Sequence, residues 1–122
     1  MKLLITELYT LPSDVKERLL NIGLQVDYTD GTTKVEPETY DVVYGQHPFK
    51  RFPYDEFKAL KFLQLSCAGT DHLPIEQWRK DGLLLSNAKG VYSAPIAEMI
   101  VMRMLKYWKL ILLTIQRNEP SW

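Results

Sequence analysis

A single cysteine in 122 residues excludes an internal disulfide and is compatible with a reducing compartment. Charge of one sign is also missing. Lys and Arg number 15, Asp and Glu 15, and the formal net charge is zero. Such a balance argues against a nucleic-acid footprint and against a polybasic membrane surface. The apolar start, Met1 to Thr6, is too short for a signal peptide and is interrupted by Glu7, so a cytoplasmic location is expected. No G-x-G-x-x-G occurs anywhere, so the chain carries no dinucleotide loop of the usual kind. Internal repeats and low-complexity segments are absent too. What is present is ordinary for a soluble globular protein: 46% hydrophobic and 25% charged residues, at a length that allows one domain with one core.

The organising stretch is Phe62-Leu63-Gln64-Leu65-Ser66-Cys67-Ala68-Gly69-Thr70-Asp71-His72-Leu73-Pro74. It reads as a buried strand over 62–66, then a loop of small residues, Cys67 to Thr70, then a polar turn and a new helix. A strand, a small loop and a helix start form an anion site in α/β folds, because loop amides and the helix amino end face the carboxyl edge of the sheet. Ala68 and Gly69 are small enough to let a carboxylate or phosphate reach the backbone of Ala68, Gly69 and Thr70. The alternative is a turn that needs Gly69 for its dihedral angles.

The rest of the chain alternates strand and helix. Apolar runs at 2–6, 24–28, 41–44, 62–66 and 83–86 read as strands. Asp30-Gly31 closes the second and Gly45 the third. Helices are expected from Pro12-Ser13-Asp14 to a Gly23 cap, with Val15, Leu19, Leu20 and Ile22 on the apolar side. Others are expected over Tyr54–Leu60 and Pro74–Lys80. The polar segment 32–40 reads as a loop or short helix. This pattern implies a doubly wound parallel sheet of about five strands with helices on both faces. Ligands in such folds sit at the carboxyl edge, where the loops after Thr6, Tyr44, Ser66 and Ser86 lie.

The last element, Ser93 to about Arg117, has Ser93 as N-cap and Pro95 in its first turn. Its cylinder is apolar almost all round, with Arg103, Lys106 and Lys109 on one narrow face. Such a helix is normally buried, and the three cations argue against a membrane span. A further domain or a second subunit is therefore expected to cover it.

Several chemistries fail on spacing. A receiver domain needs acidic residues after the first and third strands, but Asp41 stands at the wrong end of the third. Glu7-Leu8-Tyr9-Thr10 is not a flavin phosphate loop. A low-molecular-weight phosphatase needs Arg where Leu73 stands. Cys67 could be a nucleophile with His72 as base, but it reads more simply as a small half-buried residue. Cys67, Asp71 and His72 match no standard metal spacing.

Leu63 to Leu73, then Gly82-Leu83-Leu84-Leu85-Ser86-Asn87, then Gly90-Val91-Tyr92-Ser93-Ala94-Pro95-Ile96-Ala97-Glu98, taken in order and spacing, resemble the amino-terminal half of the D-isomer-specific 2-hydroxyacid dehydrogenases. The resemblance is good from Phe62 to Trp122 and rests on alternation alone before that. It implies a flavodoxin-like substrate domain, residues 1–92, and a helix with the start of a linker, residues 93–122. That helix would cross to an NAD- or NADP-binding Rossmann domain, which this chain lacks, and would join a homodimer. It also implies that Ala68, Gly69 and Thr70 hold the carboxylate of a 2-keto or 2-hydroxy acid. Tyr44, Gly45, His47 and Tyr92 would lie near the substrate, although Tyr92 reads rather as a packing residue of the hinge. The family's catalytic Arg, Glu and His belong to the absent domain, and neither His47 nor His72 corresponds to them. The chain by itself is then expected to bind no cofactor and to be inactive. A different class remains open: a stand-alone binding module that pairs through its last helix.

Overall fold

The computed structural model describes residues 1–6, 10–29, 34–71 and 73–118. The expected turn at Asp30-Gly31, and His72, lie outside the described residues. The chain forms two compact units, Met1–Lys89 and Gly90–Trp122.

The first unit is a five-stranded sheet. Its elements are β1 (Lys2–Ile5), α1 (Ser13–Asn21), β2 (Gln25–Tyr28), a 3-10 turn (Pro37–Thr39), β3 (Val42–Gly45), a second 3-10 turn (Tyr54–Glu56), β4 (Phe62–Leu65), α2 (Ile75–Lys80) and β5 (Leu84–Ser86). All pairings are parallel, in the order β2-β1-β3-β4-β5. Leu3 pairs with Val42, Val42 with Phe62 and Phe62 with Leu84. This is the doubly wound sheet that the alternation implies.

Side chains alternate across each strand. Leu4, Val43, Leu63 and Leu65 point into the main core and are fully buried, with Tyr40, Phe57, Trp78 and Leu83 packed on them. Phe49 lies against Phe57 and Trp78 at 5.3 and 5.1 Å between ring centroids, edge to face in both cases. The opposite face carries Leu3, Ile5, Val42, Tyr44, Phe62 and Gln64. Together with Leu19 of α1 they line an apolar hollow of about 460 Å³.

Two sequence expectations are corrected here. The helix expected over Tyr54–Leu60 is only a 3-10 turn, because Phe57 leaves helical geometry (φ −85°, ψ 73°) as its ring enters the core. Burial of that ring overrides a weak local preference. On α1, Val15 and Leu19 are half-buried, but Leu20 and Ile22 are exposed. Gly23 does cap the helix, at φ +82°, where its missing Cβ removes the left-handed penalty.

Polar groups tie the strands at both ends. Asp41, at the amino end of β3, accepts from Lys61 Nζ at 2.7 Å and from the Lys2 amide at 3.0 Å. Those two bonds, the lysine first, hold its carboxyl below the usual range. Tyr40, 2% exposed, donates its hydroxyl to Asp27 Oδ2 at 3.1 Å. Burial first, then the charge and hydrogen bond of Asp27, push the phenol up to about 12. The folded form therefore holds this proton more tightly than the unfolded form. Its contribution is complete below the ordinary tyrosine value and is lost as pH rises through about 12. Thermal melts of Tyr40→Phe are expected to lose less stability than the parent between about pH 10 and 12. Parallel alkaline limbs would remove Tyr40 as the cause.

The second unit contains α3 (Ser93–Asn118). The Ser93 amide donates to Gly90 O and the Ile96 amide to Tyr92 O. Apolar side chains are exposed along its whole length, among them Met99, Met104, Leu105, Tyr107 and Trp108. No helix among the described residues is long and apolar enough to cross a membrane.

Candidate functional site

The carboxyl edge of the sheet gathers the loops after β3, β4 and β5. At β4, buried Leu65 fixes the strand end, and the Ser66 amide donates to Gly45 O of the neighbouring strand at 3.3 Å. The chain then turns through Cys67, Ala68, Gly69 and Thr70.

Every carbonyl in this turn is occupied. Cys67 O accepts from the Ala88 amide at 3.0 Å, and Thr70 O from the Leu73 amide at 2.9 Å. Ala68 O accepts from Asn87 Nδ2 at 2.9 Å. Gly69 O accepts from the Cys67 thiol at 3.3 Å. The amides of Ala68, Gly69 and Thr70 donate to no partner among the described residues. Acceptors are used up and donors are left over, which is the polarity of an anion site. Ala68 and Gly69 are exposed and Thr70 is half-buried.

Gly69 is not in the left-handed region, since among the described residues the positive-φ glycines are Gly23, Gly82 and Gly90. The turn therefore does not need glycine for its dihedral angles. A Cβ built on Gly69 meets nothing within 4 Å, so the space beside it is open to a ligand. The helix contribution anticipated from the sequence is small. α2 starts only at Ile75 and has 6 residues, so the site rests on loop amides.

Asn87 is the residue that sequence reasoning misses, since it stands there only as a letter in a motif. In the fold it sits just past β5, and its amide holds Ala68 O while its Oδ1 accepts from the Lys89 amide at 3.3 Å. It keeps a carbonyl turned away from the anion side of the loop. One such bond contributes about 1 kcal/mol to stability, so Asn87→Ala is expected to lower the melting temperature by about 4–8 °C and, by releasing Ala68 O, to weaken anion binding by up to about fivefold. Asn87→Gln, which keeps the amide, should recover part of it. Equal affinities for Asn87→Ala and the parent would exclude a positioning role.

Of the residues anticipated for a side-chain pocket, His47 and Tyr44 line different hollows of the first unit. His47 lines a hollow of about 370 Å³ with Pro48, Phe49, Leu73 and Trp78. Gly45 is buried and engaged through its carbonyl with Ser66. Tyr44 points to the face of α1, into the apolar hollow there. Tyr92 belongs to the second unit and is 49% exposed. Cys67 uses its thiol as a clip within the turn.

No G-x-G-x-x-G phosphate loop occurs in the sequence.

The first unit is a parallel α/β domain of the doubly wound class, with three unpartnered loop amides at its carboxyl edge among the described residues. The family model of the D-isomer specific 2-hydroxyacid dehydrogenase catalytic domain matches residues 4–105, and the chain belongs to that family. No curated protein matches the sequence. Among solved structures, phosphoglycerate dehydrogenase from Lactobacillus plantarum is 22% identical with a TM-score of 0.59, covering 100% of this chain and 40% of its own. The TT0316 protein from Thermus thermophilus is 20% identical with a TM-score of 0.62, covering 100% and 42%. D-lactate dehydrogenase from Aquifex aeolicus, complexed with NAD and lactic acid, is 15% identical with a TM-score of 0.55, covering 99% and 39%. These likenesses concern the fold. The chain spans about two fifths of the length of each of these structures.

Proposed function

We propose that this chain is the substrate-binding part of an NAD(P)-dependent oxidoreductase that interconverts 2-keto acids and D-2-hydroxy acids. The observation that carries the reading is the inverted polarity of the 67–70 turn, in which four carbonyls are satisfied and three successive amides are free to donate among the described residues. The amides of Ala68, Gly69 and Thr70 hold the substrate carboxylate, and His47 borders the space for the rest of the molecule. Hydrogen bonds to an ionised group are the stronger kind, so backbone alone suffices to orient the acid.

Hydride chemistry is supplied by the nicotinamide when it is bound, on a Rossmann domain separate from these residues. Residues 1–92 form the substrate domain, and residues 93–122 supply a helix, which crosses to the cofactor domain and pairs with a second copy, and the start of the linker to that domain. The exposed apolar surface of α3 supports that role. The 122 residues alone bind the acid without turning it over.

The test is an amide-resolved NMR titration of the chain with pyruvate and with D-lactate. Shifts confined to Ala68, Gly69, Thr70 and their neighbours are expected. Saturable binding elsewhere, with those three amides silent, refutes the assignment. NADH oxidation by the pure chain would refute the separation of labour.

A further inference from the structure

A second hollow lies at the same edge, one to two strands from the carboxylate loop. The sheet order reverses between β1 and β3, so connections from these strands leave toward opposite faces and a crevice opens between them. A hollow of about 500 Å³ fills that crevice, lined by Thr6 after β1, Thr29 after β2, and His47, Lys50, Arg51 and Phe52 after β3. No carboxylate lines it among the described residues. Arg51 is held in place from two sides. Its Nη1 donates to Thr29 O at 2.9 Å, and its guanidinium carbon lies 5.5 Å from the Phe52 ring centroid. A guanidinium has five N–H donors in a planar fork, so one bond to Thr29 leaves most of them available. Thr6 spends its hydroxyl hydrogen on Tyr44 O at 3.2 Å, which assigns the donor work to Arg51 and Lys50.

We propose that this crevice is a second anion subsite, which takes the distal phosphate or distal carboxylate of the substrate. The reading rests on the carboxylate assignment to Ala68–Thr70 for the identity of the molecule. His47 and Lys50 line both this crevice and the apolar hollow next to Leu73, and the Leu73 amide is bonded to Thr70 O. The crevice and that hollow therefore adjoin at His47 and Lys50, on the side of the sheet edge that leads toward the carboxylate loop. Neighbouring strands stand about 4.8 Å apart, which places the anions about 5–10 Å from each other. That is the span of a short phosphorylated acid or dicarboxylate. The substrate class is a 2-hydroxy or 2-keto acid with a second negative group at its far end, in preference to one with an apolar tail.

D-glycerate, D-3-phosphoglycerate and D-malate separate the possibilities when titrated into the chain at fixed ionic strength and followed by amide NMR. The phosphorylated acid or the diacid is expected to bind about tenfold or more tightly than D-glycerate, and the stronger of the two tells phosphate from carboxylate. Arg51→Ala should abolish the gain and leave D-glycerate unchanged. Arg51→Lys, which keeps the charge without the fork, should retain part of it. Arg51 is exposed, so both variants should fold, and their far-ultraviolet spectra check this. D-glycerate shifting Ala68–Thr70 with no gain for either dianion overturns the subsite and leaves the carboxylate reading intact. Inorganic phosphate shifting the Thr29 and Arg51 amides, with Ala68–Thr70 silent toward D-glycerate, supports the subsite while the carboxylate reading fails.

Discussion

Gly69→Val is expected to lower carboxylate affinity about 100-fold and to leave the fold intact. The two halves of that expectation have separate causes. Valine places a branched carbon where the anion must approach the amides of 68–70, and removing two charge-assisted hydrogen bonds costs on the order of 3 kcal/mol. Stability is spared for a different reason. The backbone at Gly69 is not left-handed, and the new Cβ meets no atom within 4 Å. A surface substitution of that kind changes stability by about 0.5 kcal/mol or less. Titration with pyruvate measures the first half, and a thermal melt the second. A parent-like binding curve for Gly69→Val would remove the loop from the site, whatever the melt reports. In a complete enzyme the same change appears as a raised KM.

The largest effect on stability is expected at Trp78. Its side chain is 4% exposed, and its ring lies 5.1 Å from Phe49 and 5.5 Å from Tyr54 between centroids. It joins α2 to the core under β4 and to the loop after β3. Trp78→Ala removes that contact area and leaves a cavity, at about 3–5 kcal/mol. A small domain has a total stability of about 5–15 kcal/mol, so the melting temperature should fall by roughly 12–30 °C. Because Trp78 also walls the hollow beside His47, Trp78→Phe should keep most of the stability while enlarging that space. A loss under about 1 kcal/mol for the alanine variant, in calorimetry or urea titration, would show that the aromatic cluster is loosely packed.

Much of this fold can be read from the chain because parallel strands announce themselves as short apolar runs between glycines. The five runs at 2–6, 24–28, 41–44, 62–66 and 83–86 each hold a strand, with ends shifted by a residue or so. What cannot be read is long-range. Tyr54–Leu60 carries helix-compatible residues, and only the packing of Phe57 against Phe49 turns it elsewhere. Leu20 and Ile22 look like core from their spacing, yet α1 presents only Val15 and Leu19 to the sheet. Tyr44 and Gly45 are adjacent in sequence, and the strand pleat sends them to opposite faces. The small-residue loop is visible as a candidate, but its polarity is not. The bonds of Asn87 and Ala88 to its carbonyls join two strand ends about twenty residues apart, and no local pattern encodes them. Arg51 likewise reads as an ordinary loop cation until Thr29 and Phe52 are seen on either side of it.

The sheet order also fixes a timetable. β1 is the first strand of this sheet to be synthesised and stands second in it, between β2 and β3, with Leu4 and Ile5 almost wholly buried. Its partner on one side begins at residue 42. At 5–20 residues per second, roughly 2–7 s separate the synthesis of the two strands. No ladder in the sheet joins adjacent hairpin strands, so each must close a long loop before any pairing rewards it. Folding speed in this unit is therefore governed by chain closure, while its short helices form and dissolve many times in the interval. Until residue 42 emerges, the nascent chain carries Leu4 and Ile5 without the neighbour that will shield them.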